Sequence, residues 1–331
     1  MVALLVGVNA VLVSIAGLLT LDFVLHRKFD EVASLNRWGY RGAVIGRKQN
    51  SEKRIVVVGG STALGYGVRW QEAFPAVLEG LLRQATVSGS GSVSVVNLAC
   101  NNDGAYSFRF TLEDYEYLDY DAVIFYSGYN NLTDRNTRLY RRQSPVFRLT
   151  GYHLLLPLVM REKAMSLRYG GHLEAAYQGD KTVFNPGLAD RTLAGALEQG
   201  NRIGDALGRQ LEQTLPEAPV GDSKTLGTSC GNWPRYCNEM YAAVKYVLDR
   251  GRRALVVSQP HLTEPHPEQQ RLMVAFLRER FGHDARLQVV DLGLALDLTD
   301  QSIAYDGMHL TASGNRTIAE RLLEPVQHLL E

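Results

Sequence analysis

Arg54-Ile-Val-Val-Val-Gly-Gly-Ser-Thr-Ala-Leu-Gly-Tyr-Gly-Val68 is the stretch on which the fold turns. Ile55 to Val58 is an unbroken β-branched run, the composition of a strand buried on both faces of a parallel sheet. Gly59 and Gly60 then permit a tight turn and a close approach of substrate to backbone. Ser61 falls at the carboxyl end of that strand, where the next helix is expected to begin. Open α/β sheets place their ligands at this edge. Its hydroxyl is expected to be exposed there, in the positive field of the helix and among free N–H groups. A phosphate loop would need a lysine after its last glycine, and a dinucleotide fingerprint would need G-x-G-x-x-G with an acidic residue about 20 positions on. The stretch carries neither, and a tight turn without chemistry stays open as an alternative.

Near the other end stands Tyr305-Asp-Gly-Met-His-Leu-Thr311. Asp306 and His309, three apart on a loop entering a helix, can present an imidazole with its own carboxylate beside it. An unactivated serine needs that pair: a base, and a group that fixes the tautomer of the base. A surface turn or helix cap would use the same residue types. Phe125-Tyr-Ser-Gly-Tyr-Asn-Asn131 is a further strand ending in glycine and asparagine, and the amide of Asn130 could donate to a developing oxyanion. Val93 to Ala99 is another strand, followed in the loop by Gly104, whose N–H could serve the same oxyanion. His261, after the strand Arg253 to Ser258, rivals His309 as base but has no close aspartate. Cys100 has no paired base in sequence, so Ser61 is the expected nucleophile.

Taken in order, these pieces resemble the SGNH (GDSL-type) hydrolase family. Gly60-Ser61 resembles its first block, Gly104 its second, Gly128-x-Asn130 its third and Asp306-x-x-His309 its fifth, over about residues 50 to 330. The resemblance implies a three-layer α/β/α, flavodoxin-like fold with a parallel sheet. It also implies hydrolysis of a carboxylic ester, an acyl or O-acetyl group on a small molecule, glycan or lipid, through a seryl intermediate: Ser61 as nucleophile, His309 as base and Asp306 as its orienting partner. The oxyanion would be held by the N–H groups of Ser61 and Gly104 and the side chain of Asn130, with no metal or organic cofactor. Two positions depart from the family pattern: Gly60 and Asn131 both stand where aspartate is usual. An acyltransferase would use the same triad, and a carbohydrate-binding or assembly protein could keep the fold without chemistry.

The rest of the chain fits around this core. Apolar spacing predicts helices over Ala73 to Ala85, Ser107 to Leu118, Leu193 to Leu215, Tyr236 to Leu248 and Leu272 to Phe281. Leu287 to Leu292 reads as the last strand, and Thr311 to Leu330 as a closing helix with a capping turn. Val2 to Leu21 is an apolar run of about 20 residues, long enough for one membrane crossing; a signal peptide or a core helix would look similar. The expected layout is an anchor at 1–25, a lead-in at 26–50 containing Asn36 to Gly42, and a catalytic domain at 51–331 with an insertion at about 131–228. His26, Arg27 and Lys28 after the span would hold the body in the cytosol by the positive-inside rule. The family resemblance favours the outer side.

The insertion is the least readable region. Arg135, Arg138, Arg141 and Arg142 could meet an anionic substrate or simply be a solvated face. Phe147 to Met160 is apolar but too short to span a bilayer. His153 and His172 lack companions at metal-ligand spacing. A Cys230–Cys237 bridge fits a body outside the cytosol, with two reduced thiols as the alternative. With 35 basic and 35 acidic residues among 331, the balanced charge argues against a nucleic-acid partner.

Overall fold

A computed structural model of the protein describes residues 2–29, 35–36, 38–85, 92–132, 147, 152–157, 159–160, 164, 167, 230–262 and 264–331. Most of the expected insertion lies outside them, with Arg135, Arg138, Arg141, Arg142, His172 and the helix read at Leu193 to Leu215. So does nearly all of the loop at Val87 to Ser92. The chain divides into two compact units: Met1–Gly39 with Gln143–Pro219, and Tyr40–Arg142 with Val220–Glu331.

The second unit is built on five parallel strands: β1 (Lys53–Gly59), β2 (Val93–Asn97), β3 (Ala122–Ser127), β4 (Arg253–Ser258) and β5 (Leu287–Asp291). Their spatial order is β2-β1-β3-β4-β5. Val56 of β1 pairs with Val96 on one side and Val123 on the other. Ile55 to Val58 are sealed from solvent, and each such side chain stabilises the fold by about 1.5–3 kcal/mol. A strand buried on both faces needs helices above and below it, and the chain supplies two sets. The helix α3 (Phe74–Ala85) packs on α7 (Ala312–Leu330). On the other side α4 (Ala105–Asp114) packs on α5 (Pro234–Asp249), and α5 on α6 (His266–Phe281).

One polar residue joins the first set. Asn315, wholly buried in α7, accepts from the Phe74 N–H at 2.9 Å and donates to the carbonyls of Leu310 and Thr311. It thereby satisfies an N-terminal amide of α3 that has no partner within its own helix. Thr311 caps α7 by accepting from the Gly314 N–H. These bonds set the loop before α7, which carries Asp306 and His309, against the segment following β1.

Several boundaries differ from the apolar periodicity. The second helix spans Ala105–Asp114 rather than Ser107 to Leu118 because Tyr115 (φ −106°, ψ 20°) leaves helical geometry. A single 3-10 turn at Glu116–Leu118 follows, and Asp119 ends it at φ 51°. The helix α6 begins at His266, ahead of Leu272. Its early turns bury His266, Gln269 and Gln270, polar residues that hydrophobic spacing does not register. Cys230 and Cys237 are disulfide-bonded, with Cα atoms 6.4 Å apart.

In the first unit, α1 (Val2–Phe29) contains an apolar span at Gly7–His26 with mean hydropathy 2.1, long enough to cross a bilayer; a signal sequence would pass the same test. Leu12, Val13, Leu18 and Phe23 are exposed on it. Asp22 is buried: it accepts from the Tyr152 hydroxyl at 2.7 Å and from the Leu156 N–H. A ring nitrogen of His26 lies 2.8 Å from the His153 carbonyl and 3.4 Å from Asp22. His153 therefore enters the structure through its backbone.

Replacing Asn315 with alanine should lower unfolding stability by about 1–3 kcal/mol, the cost of leaving a buried amide unpaired. Urea denaturation of the variant against the parent measures it; an unchanged midpoint would contradict this role.

Candidate active site

The order β2-β1-β3 sends the chain away from β1 in opposite directions, so the loops leaving the carboxyl ends of β1 and β3 part and open a crevice. Ser61 starts α2 (Ser61–Leu64) directly after β1. This helix is a single turn, ended by Gly65 at φ 80°, so the sustained helical field expected at Ser61 is absent and the long helix α3 follows only later. What holds the turn is a set of donors. Arg41, a buried cation, donates to the carbonyls of Leu64, Gly65 and Val68, and Asn97 Nδ2 donates to those of Ala63 and Leu64. Burial pushes the Arg41 guanidinium down to about 10. The Arg41 N–H also donates to the Asn97 carbonyl, closing an antiparallel bridge at the end of β2. Nothing in the local pattern of Asn36 to Gly42 marks Arg41 for this task, since all its acceptors are backbone carbonyls distant in sequence.

Ser61 Oγ lies 2.8 Å from His309 Nε2, and His309 Nδ1 lies 2.6 Å from Asp306 Oδ2. Asp306 Oδ1 accepts from the backbone N–H groups of His309 (2.7 Å) and Met308 (3.0 Å). Partial burial alone would raise the carboxyl pKa. The bonds from the His309 ring and from both amides outweigh that and hold it below the ordinary value. An ionised Asp306 keeps the imidazole proton on Nδ1 and leaves Nε2 as acceptor for the serine hydroxyl. Two tyrosines brace the ring: Tyr66 with its centroid at 5.0 Å and Tyr305 stacked at 6.0 Å. The Tyr305 hydroxyl donates to the Tyr66 carbonyl, and a side chain at Gly67 would run into the Tyr305 ring. Neither tyrosine is marked by the sequence pattern.

His261 is placed elsewhere. Its N–H donates to the Gly293 carbonyl and its ring packs over Gly293, while Ser61 bonds to His309. Cys100 is buried in the loop after β2.

A small, partly open pocket lies beside Ser61, lined by Gly60, Thr62, Asp103, Ser127, Gly128, Tyr129, Asn130 and Gln259 together with Ser61 itself. Asn130 Nδ2 donates to the Asp103 carbonyl at 2.6 Å and sits over Gly60. The Asn130 amide occupies the space that a Cβ at position 60 would enter. Gly104 departs from expectation: its N–H donates to Asp103 Oδ1 at 3.0 Å, and it is not among the cavity-lining residues. Asn102, at φ 59°, turns the loop so that Asp103 lines the cavity instead. The expected third oxyanion donor is thus engaged with a neighbouring carboxylate. Asn131 Oδ1 accepts from the Ala105 N–H at the start of α4, a contact the amide makes without a charge. Among the described residues no three His, Cys, Asp or Glu side chains converge as a metal would require.

No family model matches the sequence, and no curated protein matches it. Solved structures similar to this chain include a lipolytic protein of the G-D-S-L family from Veillonella parvula, at 10% identity and TM-score 0.41, covering 82% of this chain and 97% of that one. The psychrotrophic esterase EstA from Pseudoalteromonas is similar at 7% identity and TM-score 0.44, with 84% and 98% covered. A family 3 carbohydrate esterase from Clostridium thermocellum is similar at 12% identity and TM-score 0.43, with 84% and 98% covered. At such scores and identities the likeness does not bear on what this chain does.

Behind Tyr129, burial and then the nearby His261 ring push the His266 imidazole down to about 4. Its ring lies 4.7 Å from that of Tyr129 and 6.4 Å from that of His261. The unfolded chain takes up this proton below about 6.5 and the folded chain does not. Stability should therefore fall as pH drops from about 6.5 towards 4, by up to about 1.4 kcal/mol per unit. His266→Gln should flatten that slope in urea titrations at pH 4.5, 5.5 and 7; an unchanged slope would contradict the neutral burial of His266.

Proposed function

We propose that this chain is a membrane-anchored serine esterase of SGNH type that acts on esters of short acyl groups. The observation that carries the proposal is the continuous relay from Ser61 Oγ through His309 to Asp306, with each link at hydrogen-bond distance. In this reading Ser61 Oγ attacks the ester carbonyl while His309 Nε2 takes its proton. Collapse of the tetrahedral adduct breaks the bond to the alcohol, which leaves with that proton, and the acyl group stays on Ser61. Water then attacks the acyl-enzyme, again giving its proton to His309, and releases the acid and the free serine. Asp306 keeps the ring oriented and stabilises its cationic form. The oxyanion is held by the Ser61 N–H and by Asn130 Nδ2, whose second proton is not needed by Asp103. Loss of one such donor costs about 3 kcal/mol of barrier.

The cavity beside Ser61 supports a small acyl group. Among the described residues it is lined by glycine, hydroxyl, carboxylate and amide residues and one tyrosine, with no aliphatic side chain. Each added methylene would gain about 0.8 kcal/mol in an apolar pocket, a gain these walls do not offer. Acetyl-sized groups on a glycan or another alcohol fit this chemistry.

Two observations support an anchored, extracytoplasmic enzyme. Asp22 and His26 make buried contacts with Tyr152, His153 and Leu156, contacts that removal of α1 as a leader would destroy. The Cys230–Cys237 bridge suits an oxidising compartment.

Ser61→Ala should abolish turnover of p-nitrophenyl acetate and labelling by a fluorophosphonate, with folding intact by circular dichroism. Full activity in that variant would sink the assignment. The parent enzyme should favour the acetyl over the octanoyl ester by at least about tenfold in kcat/KM, roughly the worth of one to two mismatched methylenes. Intact-mass analysis of membrane-extracted protein should find α1 retained; a mature chain lacking it would refute the anchor.

A further inference from the structure

Gln259 stands just past the end of β4 and is almost wholly buried. Its Oε1 accepts from the backbone N–H of Tyr129 at 3.0 Å, and its Nε2 donates to Thr62 Oγ1 at 2.9 Å. The orientation of the amide follows from its partners, because a backbone N–H can only donate. Thr62 adjoins Ser61, and Tyr129 adjoins Asn130. In the sheet β3 lies between β1 and β4, so one side chain ties together the loops leaving three successive strands. The Tyr129 hydroxyl adds a second tie by donating to the Pro260 carbonyl. Gln259 also lines the cavity beside Ser61.

We infer that Gln259 is a positioning residue that holds the Ser61 turn and the Asn130 loop at the spacing needed to bind an oxyanion, an inference that rests on the esterase reading above. The spacing is not secured by the sheet, whose last hydrogen-bonded pairs precede both loops. It is not secured by α2 either, which is a single turn. Direct backbone pairing runs from β1 to β3 only as far as Gly59 and Tyr126. Beyond that register the amide of Gln259 bridges the two loops. A nucleophile and an oxyanion donor that drift apart by about 1 Å lose on the order of 100-fold in rate, while binding of the ground-state ester changes little.

Gln259→Leu keeps the volume and removes both bonds. With p-nitrophenyl acetate it should lower kcat by about 10- to 100-fold and leave KM within about threefold. Its effect should vanish in the background that lacks the oxyanion amide: Gln259→Leu/Asn130→Ala should fall within about threefold of Asn130→Ala alone, as coupled sites do. Thr62→Val, which removes only one of the two bonds, should show the same pattern at smaller amplitude, and it decides the matter if the leucine variant fails to fold. Losses that multiply in the double variant, a loss confined to KM, or more than half of the parent kcat in Gln259→Leu would overturn the assignment. If the parent hydrolyses the ester and Ser61→Ala does not, such a result removes the role of Gln259 alone. A parent without turnover removes the esterase reading and this inference with it.

Discussion

Every feature of the candidate site depends on β1 lying between β2 and β3 in a parallel sheet. A parallel neighbour can be reached only by a crossover, and the chain leaves β1 towards β2 on one face and reaches β3 by way of the other. The carboxyl ends of β1 and β3 are thereby left with loops that diverge, and the gap between them is where a ligand can reach backbone. Ser61 and Asn130 occupy the two lips of that gap. The burial of Ile55 to Val58 on both faces fixes the strand ends from which those two loops depart.

The loops themselves have little intrinsic regularity. The turn that starts at Ser61 is one helical turn long, too short to be stable by itself. It is kept in place by donors from outside: Arg41 from the segment before β1, Asn97 from the end of β2, and Gln259 from the end of β4. His309 is brought to the same point by a different route, since Asn315 and Thr311 fix the start of α7 against α3. Tyr66 and Tyr305 then pack their rings against the imidazole. The hydrogen-bonded groups at the crevice are thus few, and a larger number of buried polar contacts keep them within reach of one another.

Much of this was legible in the chain because it is locally encoded. A run of β-branched residues followed by paired glycines is a buried strand and a tight turn wherever it occurs, and the periodic apolar faces of α3, α5 and α7 are equally direct. Asp306 and His309 were legible as a pair because they stand three positions apart on one loop. Gly60 was legible only as a departure, and the sequence does not show its neighbour Asn130, a residue far along the chain whose amide sits over it. Gly104 was misleading for a similar reason: a glycine after β2 suggests a free amide, yet the turn at Asn102 directs that amide to Asp103. The start of α6 was hidden because its first turns bury glutamine and histidine, which no hydrophobic period can register.

By itself the sequence determined the strands of the sheet and the order in which helices separate them, and it singled out Ser61, Asp306 and His309, which lie within hydrogen-bond distance of one another. Those properties follow from side-chain chemistry and from spacing over a few residues. Only the tertiary structure decided that Ser61 bonds to His309 rather than His261, that Asp103 instead of Gly104 lines the cavity, and that Arg41 and Gln259 support the site. Those outcomes depend on distances between residues separated by tens to hundreds of positions, set by strand order and helix packing, and local patterns carry no information about them.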